Sequence, residues 1–412
     1  MTVNRKTLFL SKYFAIYFLH GFFFLKHYLI FLLNSELDPF DVGLIISTFN
    51  TVPLLLEIPT GAISDYFGSR NTLLLSMLLY LIGYVAIFFR KNFFTFCLFY
   101  GFYGLYETIF SGAKETLIYN NIVHLDMLDG FVIQRNRAKI VQYGALLLSS
   151  LWAGGMVVNR SSANYLIVLD ALILSLYIAV VYSMEEHGNE NLKKLNTNYL
   201  NSIVNGLRHM FRHSSLRKII VFRFVWFSVY RIFLHYAPLF YIGIWRSAGV
   251  AGYMVPMEIF LAAVMQSLLI RFFTRRKNIY LDARLFLLSS FSALISSIIY
   301  RGLISYILII IFFFSSQIGE VIFFVRMQRF IPAKSRAVIL SASNFFISLL
   351  KLTMTLALGF ISKKFSYRLA FIGMNGFFAI GAVLFYISIL GDSHLGKIEK
   401  RLRPKNVSQA AG

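Results

Sequence analysis

The sequence predicts an all-α membrane protein whose helices cross a lipid bilayer. Three observations lead to this fold class: 58% of the 412 residues are hydrophobic, only 14% are charged, and long apolar runs recur along the whole chain. A soluble domain carries nearer a quarter charged residues. Runs of about 20 apolar residues are long enough to span the hydrocarbon core as helices, and a helix satisfies every backbone group where water is absent.

Clusters of charge, glycine and proline divide the apolar runs into twelve candidate spans, six before and six after the longest hydrophilic stretch. The spans are 8–33, 41–64, 71–90, 93–117, 138–158, 163–184, 218–245, 249–272, 283–300, 303–327, 337–361 and 368–390. This pattern predicts four regions: an N-terminal half over 1–184, a cytoplasmic linker over 185–217, a C-terminal half over 218–390 and a cytoplasmic tail over 391–412. The first span is too long for a cleavable signal peptide, and no small-residue cleavage site follows it.

The net charge of +22 follows from membrane topology. Most Lys and Arg residues lie on the side of the predicted membrane that holds the N-terminus. The positive-inside rule then places both termini in the cytoplasm. Because a nucleic-acid binder gathers its basic residues on a soluble face, we expect no nucleic-acid partner. The short loops and small tails are typical of a multi-pass protein of the bacterial inner membrane.

The sequence offers little support for cofactor or metal chemistry. Cys97 is the one cysteine of the chain and lies inside the fourth span. A disulfide framework and a thiolate metal cluster are therefore excluded. Clustered His and Asp spacing, a nucleophile motif and a phosphate-binding loop are all missing from the sequence. We expect neither an enzyme nor a directly ATP-driven pump, and we expect no cofactor and no metal.

The segment between spans two and three carries the most specific motif. It runs from Glu57 through Gly61, Asp65 and Gly68 to Arg70 and begins Glu-Ile-Pro-Thr-Gly. The glycines permit a tight turn, and a carboxylate such as that of Asp65 can accept hydrogen bonds at a helix N-terminus. The spacing Gly-x-x-x-Asp-x-x-Gly, followed by a basic residue, resembles the loop between the second and third helices of major facilitator superfamily (MFS) transporters of bacterial type.

The resemblance implies two six-helix halves around a central cavity, related as structural repeats. It also implies transport by alternating access, by a protein that we expect to be a monomer. The motif residues are thereby assigned to a conformational gate: Glu57, Gly61, Asp65, Gly68 and Arg70. The second-half counterpart at 271–277 keeps basic residues but has no Asp, which predicts a weak latch.

Ionisable residues inside the spans are candidate functional groups, because a charge near the bilayer centre costs at least ~2.5 kcal/mol and normally faces a cavity or a partner. The resemblance implies that spans one, four, seven and ten line the cavity. Polar residues of these spans and of span eleven recur on one helix face. Those assigned to substrate binding are His20, Tyr17, Tyr103, Arg231, His235, Gln317 and Lys351.

Several of these residues also have a structural interpretation. Aromatic residues fall in register through helix packing alone, and His20 can serve as an interhelical hydrogen-bonding group. Arg231 and Lys351 can form structural ion pairs with Glu107 or Glu320, which would lock helices without touching a substrate.

Arg231 and Lys351 favour an anionic cargo, since Arg binds a planar carboxylate or phosphate through two hydrogen bonds. We assign proton coupling to Glu107 and Glu320, because burial and a nearby cation change the proton affinity of a carboxyl group in opposite directions. The sequence thus predicts a secondary active, proton-coupled transporter of an organic anion or carboxylate-rich molecule, siderophore-like chelators included. A broad-specificity proton-coupled drug exporter is the alternative. A membrane sensor on the same fold is disfavoured by the lack of a sizeable soluble domain.

Overall fold

The computed structural model shows a protein built from α-helices, with no strand in the residues that it describes. These residues are 2–23, 37–127, 131–157, 163–186, 214–245, parts of 250–268, 279–330 and 336–390. The helices are α1 (Thr2–Gly21), α2 (Pro39–Phe67), α3 (Ser69–Phe89), α4 (Phe93–His124), α5 (Phe131–Val157), α6 (Ala163–Tyr182), α7 (Ser214–Trp245), α8 (the helical residues described within 250–268), α9 (Ile279–Ile299), α10 (Gly302–Phe330), α11 (Arg336–Lys364) and α12 (Tyr367–Leu390).

Each of the twelve predicted spans overlaps one of these helices, so the predicted fold class is confirmed, although α1 ends at Gly21 and the first span was predicted to continue to residue 33. Nine helices in the described residues are long and apolar enough to cross a membrane. Residues 24–36, which include the end of the first span, residues 187–213 of the linker and the tail 391–412 lie outside the described part. The exact bounds of the two halves, the linker and the tail therefore stay a prediction.

The motif between spans two and three is more helical than its composition indicates. Helix α2 continues through Glu57, Gly61 and Asp65 to Phe67, and α3 begins two residues later. The turn between the two helices consists of Gly68, whose φ of 84° lies in the region that favours glycine. A single residue therefore replaces the loop that the sequence indicates for 57–70.

Small residues bring helix backbones together inside each half. A Cβ atom added at Gly104 of α4 would lie 2.7 Å from the Phe49 carbonyl oxygen of α2, and one added at Gly21 of α1 would overlap the Gln142 carbonyl of α5. Gly319 of α10 leaves room for the Trp226 ring of α7 in the same way. Such close approach is a main source of helix association in lipid, where the bilayer provides no hydrophobic drive.

The two halves meet along α2 and α11, which run antiparallel. A Cβ added at Gly43 would lie 3.0 Å from the Gly359 Cα atom, so these two backbones are in contact. Further along the same pair of helices, the Asn50 side-chain amide donates a hydrogen bond to the Thr355 hydroxyl at 3.3 Å. Helix α2 begins and α11 ends at the side of the bundle opposite to the start of α1. The halves are therefore joined at the side where α2 begins.

An ion pair closes the outer edge of this joint. The Lys363 ammonium donates to Asp38 Oδ2 at 2.7 Å, while Asp38 Oδ1 accepts the backbone N–H groups of Phe40 and Asp41 and so caps α2. The hydrogen bond from Lys363, together with the backbone N–H of Asp41, holds the pKa of the Asp38 carboxyl below its ordinary value of 3.8. We call this pair of residues the clasp.

Replacing Gly319 by Ala should destabilise the protein, because the new Cβ would overlap the Trp226 ring. The expected cost is about 1–3 kcal/mol, read as a lower melting temperature in detergent. Gly373 of α12 provides the matched control, since its Cβ would meet nothing within 4 Å. Gly373→Ala should leave stability unchanged or raise it by up to ~1 kcal/mol through helix propensity. Equal melting temperatures for the two variants would contradict the packing argument.

The clasp should be insensitive to pH in the physiological range. A carboxyl group with a lowered folded-state pKa contributes stability that is complete above its unfolded value and is lost as the pH falls through the lowered one. For Asp38 this loss lies below 3.8. The difference in melting temperature between the unchanged protein and Asp38→Asn, with Asp38→Asn the less stable, should therefore stay constant between neutral pH and about pH 5. A difference that shrinks on mild acidification would argue against this assignment.

Candidate substrate site between the two halves

Arg231 of α7 and Glu320 of α10 form an open ion pair inside the membrane-spanning region. Arg231 Nη2 lies 3.8 Å from Glu320 Oε1, at the outer limit for a salt bridge, and the two side chains are 52% and 43% exposed. Charged groups at this depth do not face lipid at tolerable cost. The exposed faces therefore border a polar space, into which a solute or water can enter.

Residues of the N-terminal half face the same pair. Glu107 of α4 and Tyr143 of α5 lie close enough to Arg231 to interact with its charge. Glu107 is also a hydrogen-bond partner of Tyr103 on the same helix. The predicted residues Glu107, Arg231 and Glu320 are thus brought together from opposite halves, which is the arrangement expected around a central cavity.

Phe49 of α2 links four helices at the edge of this space. Its ring stacks on Tyr103 of α4 at 4.7 Å and meets His235 of α7 edge-on at 5.0 Å. The Lys351 ammonium of α11 lies 5.8 Å from the centre of the same ring. A cation at this distance over an aromatic face is attracted by the ring quadrupole. Three predicted substrate-binding residues therefore share one aromatic partner that the sequence did not single out.

Buried amides add polar groups to the central region. Gln317 of α10, three residues before Glu320, is only 4% exposed, and its amide lies within reach of the Tyr230 hydroxyl of α7. Asn50 donates to Thr355 but leaves its Oδ1 without a partner among the described residues. Buried polar atoms normally find partners, so these amides are suited to accept and donate hydrogen bonds to a bound solute.

His20 and Tyr17 of α1 lie within the packing of the N-terminal half. His20 is 7% exposed, its Nδ1 lies 3.2 Å from the Tyr106 hydroxyl, and its ring stacks on Phe110 at 4.5 Å. The Lys114 ammonium lies 4.5 Å from the ring centres of both Tyr17 and Phe110. These contacts favour the structural interpretation of His20, as a hydrogen-bonding group between helices, over direct contact with a substrate.

Within the gate motif, the structure describes the contacts of Gly68 and Arg70. Glu186, just after α6, accepts hydrogen bonds from the backbone N–H groups of Ser69 at 3.0 Å and Arg70 at 2.5 Å. It thereby neutralises the positive N-terminal end of α3. The Arg70 guanidinium donates to the Met184 carbonyl at 3.1 Å. The surroundings of Glu57, Gly61 and Asp65 lie outside the described part, so their gating role stays a prediction.

Sequence reasoning missed Phe49, Asn50 and Glu186. Asn50 is detectable as an amide inside an apolar span, and Glu186 as a carboxylate at the end of one. Phe49 carries no such signal, because aromatic residues are common throughout the chain. Among the residues that the structure describes, no group of three His, Cys, Asp or Glu side chains is suited to hold a metal ion.

Solved structures with the same architecture are membrane transporters. The nucleoside transporter NupG aligns over 94% of this chain and 100% of its own, with a TM-score of 0.71 and 10% sequence identity. The D-xylose-proton symporter aligns over 93% and 97% of the two chains, at a TM-score of 0.68 and 13% identity. A POT family transporter in complex with 5-aminolevulinic acid aligns over 93% of this chain and 95% of its own, with a TM-score of 0.66 and 13% sequence identity. At such identities the likeness concerns the fold alone.

The family is established by sequence. A comparison with curated protein sequences finds no match. The family model described as Major Facilitator Superfamily matches residues 13–351, which is most of the chain. The match begins in α1 and ends in α11 at Lys351, so it extends into both halves and includes the central ion pair. This chain belongs to the major facilitator superfamily and is a multi-pass membrane transporter rather than an enzyme.

Proposed function

We propose that this transporter is secondary active and proton-coupled, and that it moves an organic anion or a carboxylate-rich small molecule by alternating access. The observation that carries the proposal is the half-exposed Arg231, which faces Glu320 of its own half and Glu107 of the other half. Siderophore-like chelators belong to the cargo class, since they combine anionic groups with apolar parts. Lys351 provides a complementary charge for the anionic groups, and the aromatic wall around Phe49 provides a complementary surface for the apolar parts.

The loose geometry of the ion pair supports an exchange of partners. At 3.8 Å the Arg231 guanidinium makes no short hydrogen bond to Glu320, so a cargo carboxylate can replace that partner without first breaking a strong contact. Glu320, once displaced, loses a neighbouring cation, and a proton can replace that positive charge. Glu107 experiences the same cation from the other half. Binding of cargo and binding of a proton are thereby linked through Arg231.

The conformation supports the transport cycle as well. The halves are joined at the side where α2 begins, through Gly43, Gly359 and the clasp. Cargo in the central space would exchange at the opposite side, where the chain starts. With both termini in the cytoplasm of a bacterium, as positive-inside charge predicts, this is an inward-facing state of an inner-membrane protein.

The central charges also separate the proposal from its rivals. The structural neighbours named above carry nucleosides and D-xylose or bind 5-aminolevulinic acid, according to their descriptions. A site for an uncharged cargo needs no fixed cations, and a cavity for lipophilic cationic drugs would be acidic and aromatic. Arg231 and Lys351 together therefore favour an anion over the broad-specificity drug exporter.

Arg231→Ala should weaken the binding of the cargo anion. Loss of a charge-assisted hydrogen bond costs about 1.5–3 kcal/mol, which corresponds to a roughly 10- to 150-fold weaker affinity. The measurement is thermal stabilisation of purified protein by a panel of carboxylates and catecholate chelators, followed by uptake of the best ligand into proteoliposomes. Ligands that bind the folded state raise its stability by mass action.

Arg231→Lys is the matched variant, because it keeps the charge but loses the two-pronged geometry, and it should retain an intermediate affinity. A nucleoside, xylose and a cationic dye complete the panel as references. Stabilisation by the dye that persists in Arg231→Ala, with no response to any anion in the unchanged protein, would favour the drug exporter and contradict the proposal.

At least one of the variants Glu107→Gln and Glu320→Gln should lose proton-driven accumulation while retaining exchange of cargo across the membrane. A glutamine cannot carry a proton, but it preserves side-chain shape, so binding and rocking of the halves continue. Accumulation under a pH gradient and counterflow without one, measured in the same vesicles, separate the two steps. Asp126→Asn, in the exposed turn after α4, is the control and should behave as the unchanged protein. Unaltered proton dependence in both glutamine variants would remove the assignment.

A further inference from the structure

Glu258 of α8 is a buried carboxyl group that takes no part in the central site. Its exposed fraction is 0%. The Tyr241 hydroxyl of α7 donates a hydrogen bond to its Oε1, whereas its Oε2 has no hydrogen-bond partner among the described residues. An ionised carboxylate with one bare oxygen is costly in apolar surroundings. The neutral acid is the form that this geometry accommodates.

Glu258 lies toward the side of the bundle that the clasp closes. Tyr241 stands four residues before the end of α7, and Tyr306 four residues after the start of α10. Both of these helix ends are on the side where α2 begins. The two tyrosine rings meet edge-on at 5.8 Å, and Tyr306 lies close enough to Glu258 to interact with its charge. These are the titratable side chains that the described parts of α7 and α10 place beside Glu258.

Helix α8 also touches the other half of the protein. A Cβ added at Gly144 of α5 would lie 3.9 Å from the ring of Phe260, which follows Glu258 by two residues. A movement of one half against the other therefore changes the packing of the helix that carries Glu258. Separation of the halves at the clasped side would thereby give water a route to the carboxyl group from that side.

We propose that Glu258 is a second proton-binding site, protonated while the side joined by α2 and α11 is closed and in proton exchange with that side when it opens. In this step the O–H bond of the acid breaks, the proton passes to water, and the electron pair stays on the carboxylate. The inference rests on the proposed proton coupling but concerns a different group from Glu107 and Glu320. It assigns this exchange of protons to the side joined by α2 and α11, away from the cargo.

Infrared spectroscopy of the purified protein in lipid vesicles tests the first part, because the C=O stretch of a carboxylic acid reports protonation directly. At neutral pH a band should be present in the unchanged protein, lost in Glu258→Gln and retained in Glu320→Gln. If no band at neutral pH depends on Glu258, the proposal is wrong.

A second experiment leaves Glu258 in place and so does not depend on the folding of its variant. Gly359→Leu inserts a side chain where the α2 and α11 backbones touch and should hold that side open. The Glu258 band should then disappear at a pH lower by about one unit or more than in the control Gly373→Leu. Identical titrations in the two variants would overturn the proposal.

The Glu258 proposal and the proposed function can be disproved independently of each other. The infrared band requires no cargo, so an error in the proposed cargo or in the roles of Glu107 and Glu320 leaves its expected behaviour unchanged. Conversely, proton-driven uptake that depends on Glu107 or Glu320, combined with a missing Glu258 band, overturns this inference and leaves the proposed function standing.

Discussion

The close contact between α2 and α11 is the constraint on which the described arrangement of the two halves depends. Lipid tails are as apolar as the side chains that face them, so helices in a bilayer associate through close packing and polar contacts. Gly43 and Gly359 omit the side chains at the crossing, and the backbones themselves touch. Phe49 and Lys351 belong to these two helices, so the contact also sets the position of the aromatic and cationic wall of the central site.

The open geometry of Arg231 and Glu320 is what a reversible site requires. A fully buried ion pair repays its desolvation only with excellent geometry, and breaking it costs several kcal/mol. A solvated pair contributes roughly 0–1 kcal/mol. At 3.8 Å and about half exposed, this pair belongs with the second kind. A cargo anion can therefore compete for Arg231 at low cost, whereas a tight buried pair would exclude it.

Helix positions were predictable from sequence because the bilayer imposes them: every span must be apolar, helical and about 20 residues long. The ionisable residues at the centre were predictable for the same reason, since few are tolerated there. The choice of partners was not. Periodicity along α7 shows the face that Arg231 occupies, but it leaves Glu107 and Glu320 equal as candidates. Likewise, no local pattern distinguishes Phe49 from Phe110. Phe49 joins helices that are far apart in the sequence, whereas Phe110 packs against His20.

Charge placement around the α2–α11 joint determines which groups can report its state to the solvent. Asp38 and Lys363 stay ionised whether the joint is open or closed, because both are exposed and the pKa of Asp38 is already low. Protons therefore cannot distinguish the two states through the clasp. Glu258 is fully buried toward the same side of the bundle, and in our proposal its proton exchanges only after the halves separate. A buried acid, rather than a surface ion pair, is the group whose protonation can follow the conformational cycle.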